Sequence, residues 1–240
     1  PADTTAMLAA LQRALDDARA TINAYDAAIR YQDSQLGRLL GALRESGRWD
    51  DTAILVMGDH GEGLCQHGEA GHGSTWVEQL HVPLLMHVPG KTPRRVAPQL
   101  SVMDALPTFL ALVAAPGLAL PAGQAGGRDA LAAGVPPRPI LSQDTGRERN
   151  QAHRIAMTAG RWKYFRIEDL DGRVHDALYD LEADPGETVN LYEGAPELVK
   201  DLHRLIELHR QNAGEPGSLA EPTVADHHLR ERLRSLGYVD

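Results

Sequence analysis

Asp59 and His60 stand side by side in the run Gly58-Asp59-His60-Gly61-Glu62, directly after the apolar stretch Ala53-Ile54-Leu55-Val56-Met57. A carboxylate and an imidazole offer a hard oxygen and a borderline nitrogen, a mixture that suits Mn²⁺, Zn²⁺ or a permissive Ca²⁺ site better than a thiolate-loving metal. The glycines on both sides let the backbone turn sharply and approach an ion or anion closely. His67 and His72 follow among Gly63, Gly68, Gly71 and Gly73, and five of the eleven histidines fall between His60 and His87. Imidazoles donate to anionic oxygens or act as general acids near neutral pH, so this loop beside a carboxylate-imidazole pair points to chemistry on an anionic ester. Spacing alone leaves a second reading open, in which the histidines are surface or packing residues.

The elements that must position these residues are legible on either side. Leu8, Leu11, Leu15, Ala18, Ile22, Tyr25 and Ile29 recur every three or four residues, and Leu36, Leu40 and Leu43 resume the stripe. This predicts a long amphipathic helix packed on one face, broken near Tyr31 and ending at Ser46-Gly47, where glycine offers a left-handed cap. Ala53 to Met57 has no alternation, as expected of a strand buried on both faces of a parallel sheet. Its carboxyl end, where Asp59 and His60 lie, is where α/β folds open their ligand crevice. A second such strand is expected at Val82 to Val88, and a helix at Met103 to Val113 with Pro107 near its first turn. The fold class is therefore α/β.

From Ala114 to Pro139 the chain is dense in Ala, Gly and Pro, which predicts a loop or linker. Beyond it, Ile155 to Thr158, Trp162 to Phe165 and Ala177 to Tyr179 have the character of short strands, followed by an Asp184-Pro185-Gly186-Glu187 turn. Helices are expected at Leu198 to Leu208 and His228 to Leu236. The organisation inferred is an α/β part over 1–114, a linker over 115–151 and a small α+β subdomain over 152–240.

Composition excludes some functions. A net charge of −9 with interspersed signs provides no basic stripe for a phosphate backbone, so nucleic acid is not an expected partner. The single cysteine, Cys65, rules out an internal disulfide framework. No apolar run approaches the roughly 18 to 20 residues of a membrane span. Pro1 without an initiator methionine is expected to be a cut point, so the targeting of the parent protein is not legible here.

Asp59-His60-Gly61-Glu62, His67-Gly68, Gly71-His72-Gly73 and His81-Val82-Pro83-Leu84-Leu85, in this order, resemble the carboxy-terminal signature of the sulfatase family within the alkaline phosphatase superfamily. Upstream, Tyr31, Asp33, Leu36-Gly37 and Asp51-Thr52 match the helix and turn that precede this strand in the family. Downstream, Ser101-Val102-Met103-Asp104 with Pro107-Thr108, Leu178-Tyr179-Asp180-Leu181, Asp184-Pro185-Gly186-Glu187, Asn190-Leu191 and the tail Leu233 to Tyr238 follow in the family's order. The region from Ala115 to Gln151 has no counterpart.

The resemblance implies part of an alkaline-phosphatase-like layered sheet domain with a small carboxy-terminal α+β subdomain. It implies that Asp59 and His60 are metal ligands, with Ca²⁺ expected for a sulfatase and Mn²⁺ or Zn²⁺ for a phospho-ester enzyme. Many sulfatases place asparagine where His60 stands, whereas phosphonate and phosphate ester hydrolases and transferases often have histidine. His72 matches the residue that contacts the sulfuryl or phosphoryl oxygens and assists the leaving group. Glu62 is a candidate to orient His60; His67, Asp33 and Asp104 are expected to be structural, and His81 and Trp76-Val77 depart from the family pattern in supporting positions. The expected substrate is a small-molecule or glycan sulfate ester. The family's nucleophile, a Cys or Ser in Cys/Ser-x-Pro-x-Arg that becomes formylglycine in sulfatases, has no match in these 240 residues, and Cys65 lacks the proline two positions on. The implied partner is therefore an amino-terminal half that carries the nucleophile, with a periplasmic, secreted or envelope location by family habit.

Overall fold

The computed structural model describes residues 4–97, 99–114, 127–135, 138–144 and 152–212. In chain order the elements are α1 (Thr4–Glu45), β1 (Ile54–Met57), β2 (Gly63–Leu64), β3 (Ala70–Gly71), α2 (Val77–Leu80), β4 (Leu84–His87), α3 (Val102–Val113), β5 (Ile140–Asp144), β6 (His153–Ala159), β7 (Trp162–Glu168), β8 (Val174–Asp180) and α4 (Pro196–Asn212). Contacts divide the chain into two units, one of Pro1–Ile54, Glu62–His72 and His87–Lys91, the other of Leu55–Gly61, Gly73–Met86 and Thr92–Asp240.

In the first unit α1 runs without the break expected near Tyr31, about 60 Å long at 1.5 Å per residue. No proline interrupts it, and Ser34 bonds the Tyr31 carbonyl at 2.7 Å without opening the helix. It ends as expected, with Gly47 at φ 71°. The Arg48 N–H reaches the Leu43 carbonyl at 3.0 Å and the Gly47 N–H the Arg44 carbonyl at 3.1 Å. This pair of bonds satisfies two carbonyls that the last turn would leave open. The packing expectation is met in part: Leu36, Leu40 and Leu43 are half-buried, whereas Leu8, Leu11, Leu15, Ile22 and Ile29 are exposed. A helical period records an apolar face, but what covers that face has to come from elsewhere in space.

β1 pairs with β4. The expectation that β1 is buried on both faces is corrected: its residues are half-buried and Met57 is exposed. With β4 as its hydrogen-bonded neighbour among the described residues, β1 is only partly covered within this chain. In α3 the Ser101 side chain and Asp104 form a capping box. Pro107 lies inside that helix rather than in its first turn. Having no N–H, it leaves the Met103 carbonyl without its helical donor, and Gly127 packs there so closely that a Cβ would lie 1.8 Å from that oxygen.

The best-buried part of the second unit is an antiparallel meander in the order β5-β6-β7-β8. Met157 pairs with Tyr164, and Tyr164 with Leu178. These side chains point to one face, where Val199, Leu202, Leu205 and Ile206 of α4 cover them. One residue along each strand, Ala156, Phe165 and Ala177 point to the opposite face with Tyr179, and Trp76 and Leu80 pack there. The expected strands lengthen, at both ends for β6 and β8 and at the carboxyl end for β7, and Leu198 to Leu208 is helical, while β5 and the β2–β3 hairpin were not foreseen. The helix expected at His228 to Leu236 and most of the 115–151 linker lie outside the described residues.

Candidate functional site

Asp59 and His60 leave the end of β1 in a loop held at both shoulders. The Gly58 N–H donates to the Pro83 carbonyl at 3.1 Å, and the Gly61 N–H to the Gln79 carbonyl at 2.8 Å. Neither glycine has a positive φ, so a sharp turn is not what requires them. Close packing is: a Cβ on Gly58 would lie 3.1 Å from Val82 Cβ, and one on Gly61 would lie 2.0 Å from the Glu78 carbonyl oxygen. The segment 78–83 therefore lies flat against the backbone that carries the pair.

Within the pair, Asp59 Oδ1 accepts the His60 N–H at 2.9 Å, while Asp59 Oδ2 stands 3.9 Å from His60 Nε2. The ring's Nδ1 is 2.8 Å from the Gly61 carbonyl oxygen. A proton on Nδ1 satisfies that contact and makes Nε2 the lone-pair nitrogen. An oxygen and a nitrogen 3.9 Å apart can share one cation at ligand distances of roughly 2.0–2.6 Å, the range from Zn²⁺ to Ca²⁺. The Asp59 side chain is 91% exposed and that of His60 48%, so the pair opens outward. The residues present fit a divalent metal.

His72 is set by different means. Gly71 and Gly73 flank it at φ 93° and 105°, conformations that other residues rarely adopt. The hairpin register, Gly63 opposite Gly71 and Leu64 opposite Ala70, puts Glu62 across from His72. The Glu62 carboxylate lies 3.3 Å from His72 Nδ1. His67 sits half-buried in the hairpin loop, where Cys65 takes φ 73° and stays exposed.

The sequence marks Trp76-Val77 as supporting positions, but not the contacts that hold the stretch after His72. Arg154 donates to the Gly73 carbonyl at 3.3 Å. Trp76 lies against Phe165 at 4.5 Å and Tyr179 at 5.9 Å between ring centres. Glu187 accepts the Val77 N–H at 3.0 Å through Oε2 and meets Lys163 Nζ at 2.5 Å through Oε1. Burial pushes the Lys163 ammonium below its ordinary range, against the opposing pull of Glu187. One signal was available in the sequence: strand alternation puts Lys163 on the face of Phe165 and Tyr179, and a lysine there requires an anionic partner.

The fold defines a class. A Bacteroides fragilis protein assigned to the sulfatases superposes with a TM-score of 0.62 at 19% identity, over 78% of this chain and 41% of its own. The phosphonate monoester hydrolase of Agrobacterium radiobacter does so at 0.57 and 26%, over 76% and 39%. This is the alkaline-phosphatase-like α/β fold. Residues 3–115 match the sulfatase family model. Arylsulfatase K of Mus musculus is 31% identical over 187 residues, which is 72% of this chain and 33% of that protein. The chain belongs to the sulfatase family. It spans about a third of the length of the curated relatives it matches.

Proposed function

We propose that the protein to which this chain contributes hydrolyses sulfate esters with a divalent metal, and that Asp59 and His60 are two of the metal's ligands. The observation that carries this reading is the 3.9 Å pairing of Asp59 Oδ2 with His60 Nε2 in a loop clamped at Gly58 and Gly61, inside the residues matched by the sulfatase model. When bound, the cation supplies Lewis-acid polarisation of the sulfuryl oxygens. Asp59 and His60 hold it through one oxygen and one nitrogen. His72, presented between two left-handed glycines and contacted by Glu62, donates to the ester's anionic oxygens and delivers a proton toward the leaving group. Ca²⁺ is the expected ion. The nucleophile, a formylglycine, is assigned to an amino-terminal half outside this chain, and the location to the cell envelope or exterior. No described helix is long and apolar enough to cross a membrane.

A phosphate or phosphonate ester substrate is the second reading, favoured by histidine at position 60 and by the likeness to a phosphonate monoester hydrolase. A third is that the chain by itself is a catalytically incompetent piece. Side-by-side turnover of an aryl sulfate and an aryl phosphate by the full-length protein separates the first two, because a sulfatase prefers the former by orders of magnitude. Asp59→Ala and His60→Ala are expected to lower both bound metal and turnover. Unchanged metal content and rate in these variants would sink the site assignment.

A further inference from the structure

We propose that Glu187 is a positioning residue for the Asp59-His60 pair, acting through α2. The inference rests on the reading of that pair as metal ligands. Glu187 is 110 residues from Val77 in sequence, yet its Oε2 accepts the Val77 N–H at 3.0 Å at the start of α2. That helix is four residues long, too short to stand by itself. At its other end the Gln79 carbonyl accepts the Gly61 N–H at 2.8 Å. The Gln79 side chain, nearly fully buried, accepts the Ser74 N–H at 2.7 Å. A single carboxylate therefore fixes one end of a short rigid element whose far end holds the backbone directly after His60.

Four features indicate placement rather than general packing. Glu187 adopts φ 54°, a conformation unusual for a residue with a side chain. The turn around it is held by Asp184, which accepts the N–H groups of Thr188 and Val189 at 2.7 Å each and the Thr188 hydroxyl at 2.9 Å. Lys163 fills the other carboxylate oxygen at 2.5 Å and holds Glu187 in one rotamer. Finally, the contact between Gly61 and Glu78 has no slack, since a Cβ would overlap the Glu78 carbonyl at 2.0 Å. Any shift of α2 is passed directly to the loop that carries the pair.

The test compares two double variants of the full-length protein, Lys163→Met/Glu187→Gln and Lys163→Met/Glu187→Met. Both remove the buried charges and keep similar volume. Only the glutamine retains an oxygen for the Val77 N–H. Metal-stripped proteins are titrated with Ca²⁺ and with Mn²⁺ calorimetrically, beside wild type and Asp59→Ala, with thermal midpoints recorded. The expected result is metal binding within about threefold of wild type for the glutamine variant and weakened by about tenfold or more for the methionine variant, the scale seen when outer partners of metal ligands are lost. Equal affinities in the two variants, with Asp59→Ala abolishing binding, overturn the positioning role and leave the site standing. No binding by wild type, or binding unaffected by Asp59→Ala, overturns the site and with it this inference.

Discussion

Lys163 Nζ and Glu187 Oε1 meet at 2.5 Å with side chains only 2% and 0% exposed. Two charges this far from water are tolerable as a pair and costly apart. Glu187→Ala alone is therefore expected to destabilise the protein by about 3–5 kcal/mol, whereas replacing both residues by methionine costs much less. Urea denaturation of the two variants checks this. A single substitution no worse than the double would show that the ammonium finds water or another anion.

Gly61→Ala is expected to weaken metal binding about tenfold without removing any ligand, because the added Cβ meets the Glu78 carbonyl oxygen at 2.0 Å. Gly194→Ala, where a Cβ meets nothing within 4 Å, serves as the control. Metal content after dialysis is the measurement, and equal content in both would remove the steric argument.

His72→Ala is expected to lower kcat for an aryl sulfate by about 10²–10⁴, the range for loss of a general acid. Glu62→Gln keeps a hydrogen-bonding atom near His72 Nδ1, 3.3 Å away in the native pair, and should lose considerably less. If the two losses match with a poor leaving group and with an activated one, His72 has no role in protonating the departing oxygen.

Acid should act through Asp176. Burial raises its pKa, but hydrogen bonds from Arg166, Tyr164 and Tyr192 prevail and hold it below its ordinary value. The folded value being lower than the unfolded one of about 3.9, its stabilisation is complete above that pH. It is lost as pH falls through the folded value. Thermal midpoints of wild type should drop below about pH 4, and Asp176→Asn should be less stable near neutrality with a flatter acid limb. Parallel acid limbs would assign the loss to other carboxylates.

Much of the scaffold was legible because it rests on local pattern. The period of Leu8 to Ile29, the glycine at 47 and the unbroken apolar run before Gly58 each specify a backbone conformation by short-range sterics and hydrophobic spacing. The candidate pair was legible for the same reason, as two metal-binding residue types at the end of a strand. Strand β5 was hidden because Ile140-Leu141-Ser142-Gln143-Asp144 has no clear alternation and takes its conformation from pairing with β6.

By itself the sequence singled out the candidate residues for the proposed chemistry, and where a helix stops or a chain reverses, since those depend on neighbours a few residues away. Tertiary structure alone decided that Glu62 faces His72, that Gly58 and Gly61 are required by the 78–83 segment rather than by a turn, and that Glu187 reaches Val77 across 110 positions. Such relationships depend on which surfaces meet, and a buried carboxylate is bound to its partners by distance in space, with no trace in their spacing along the chain.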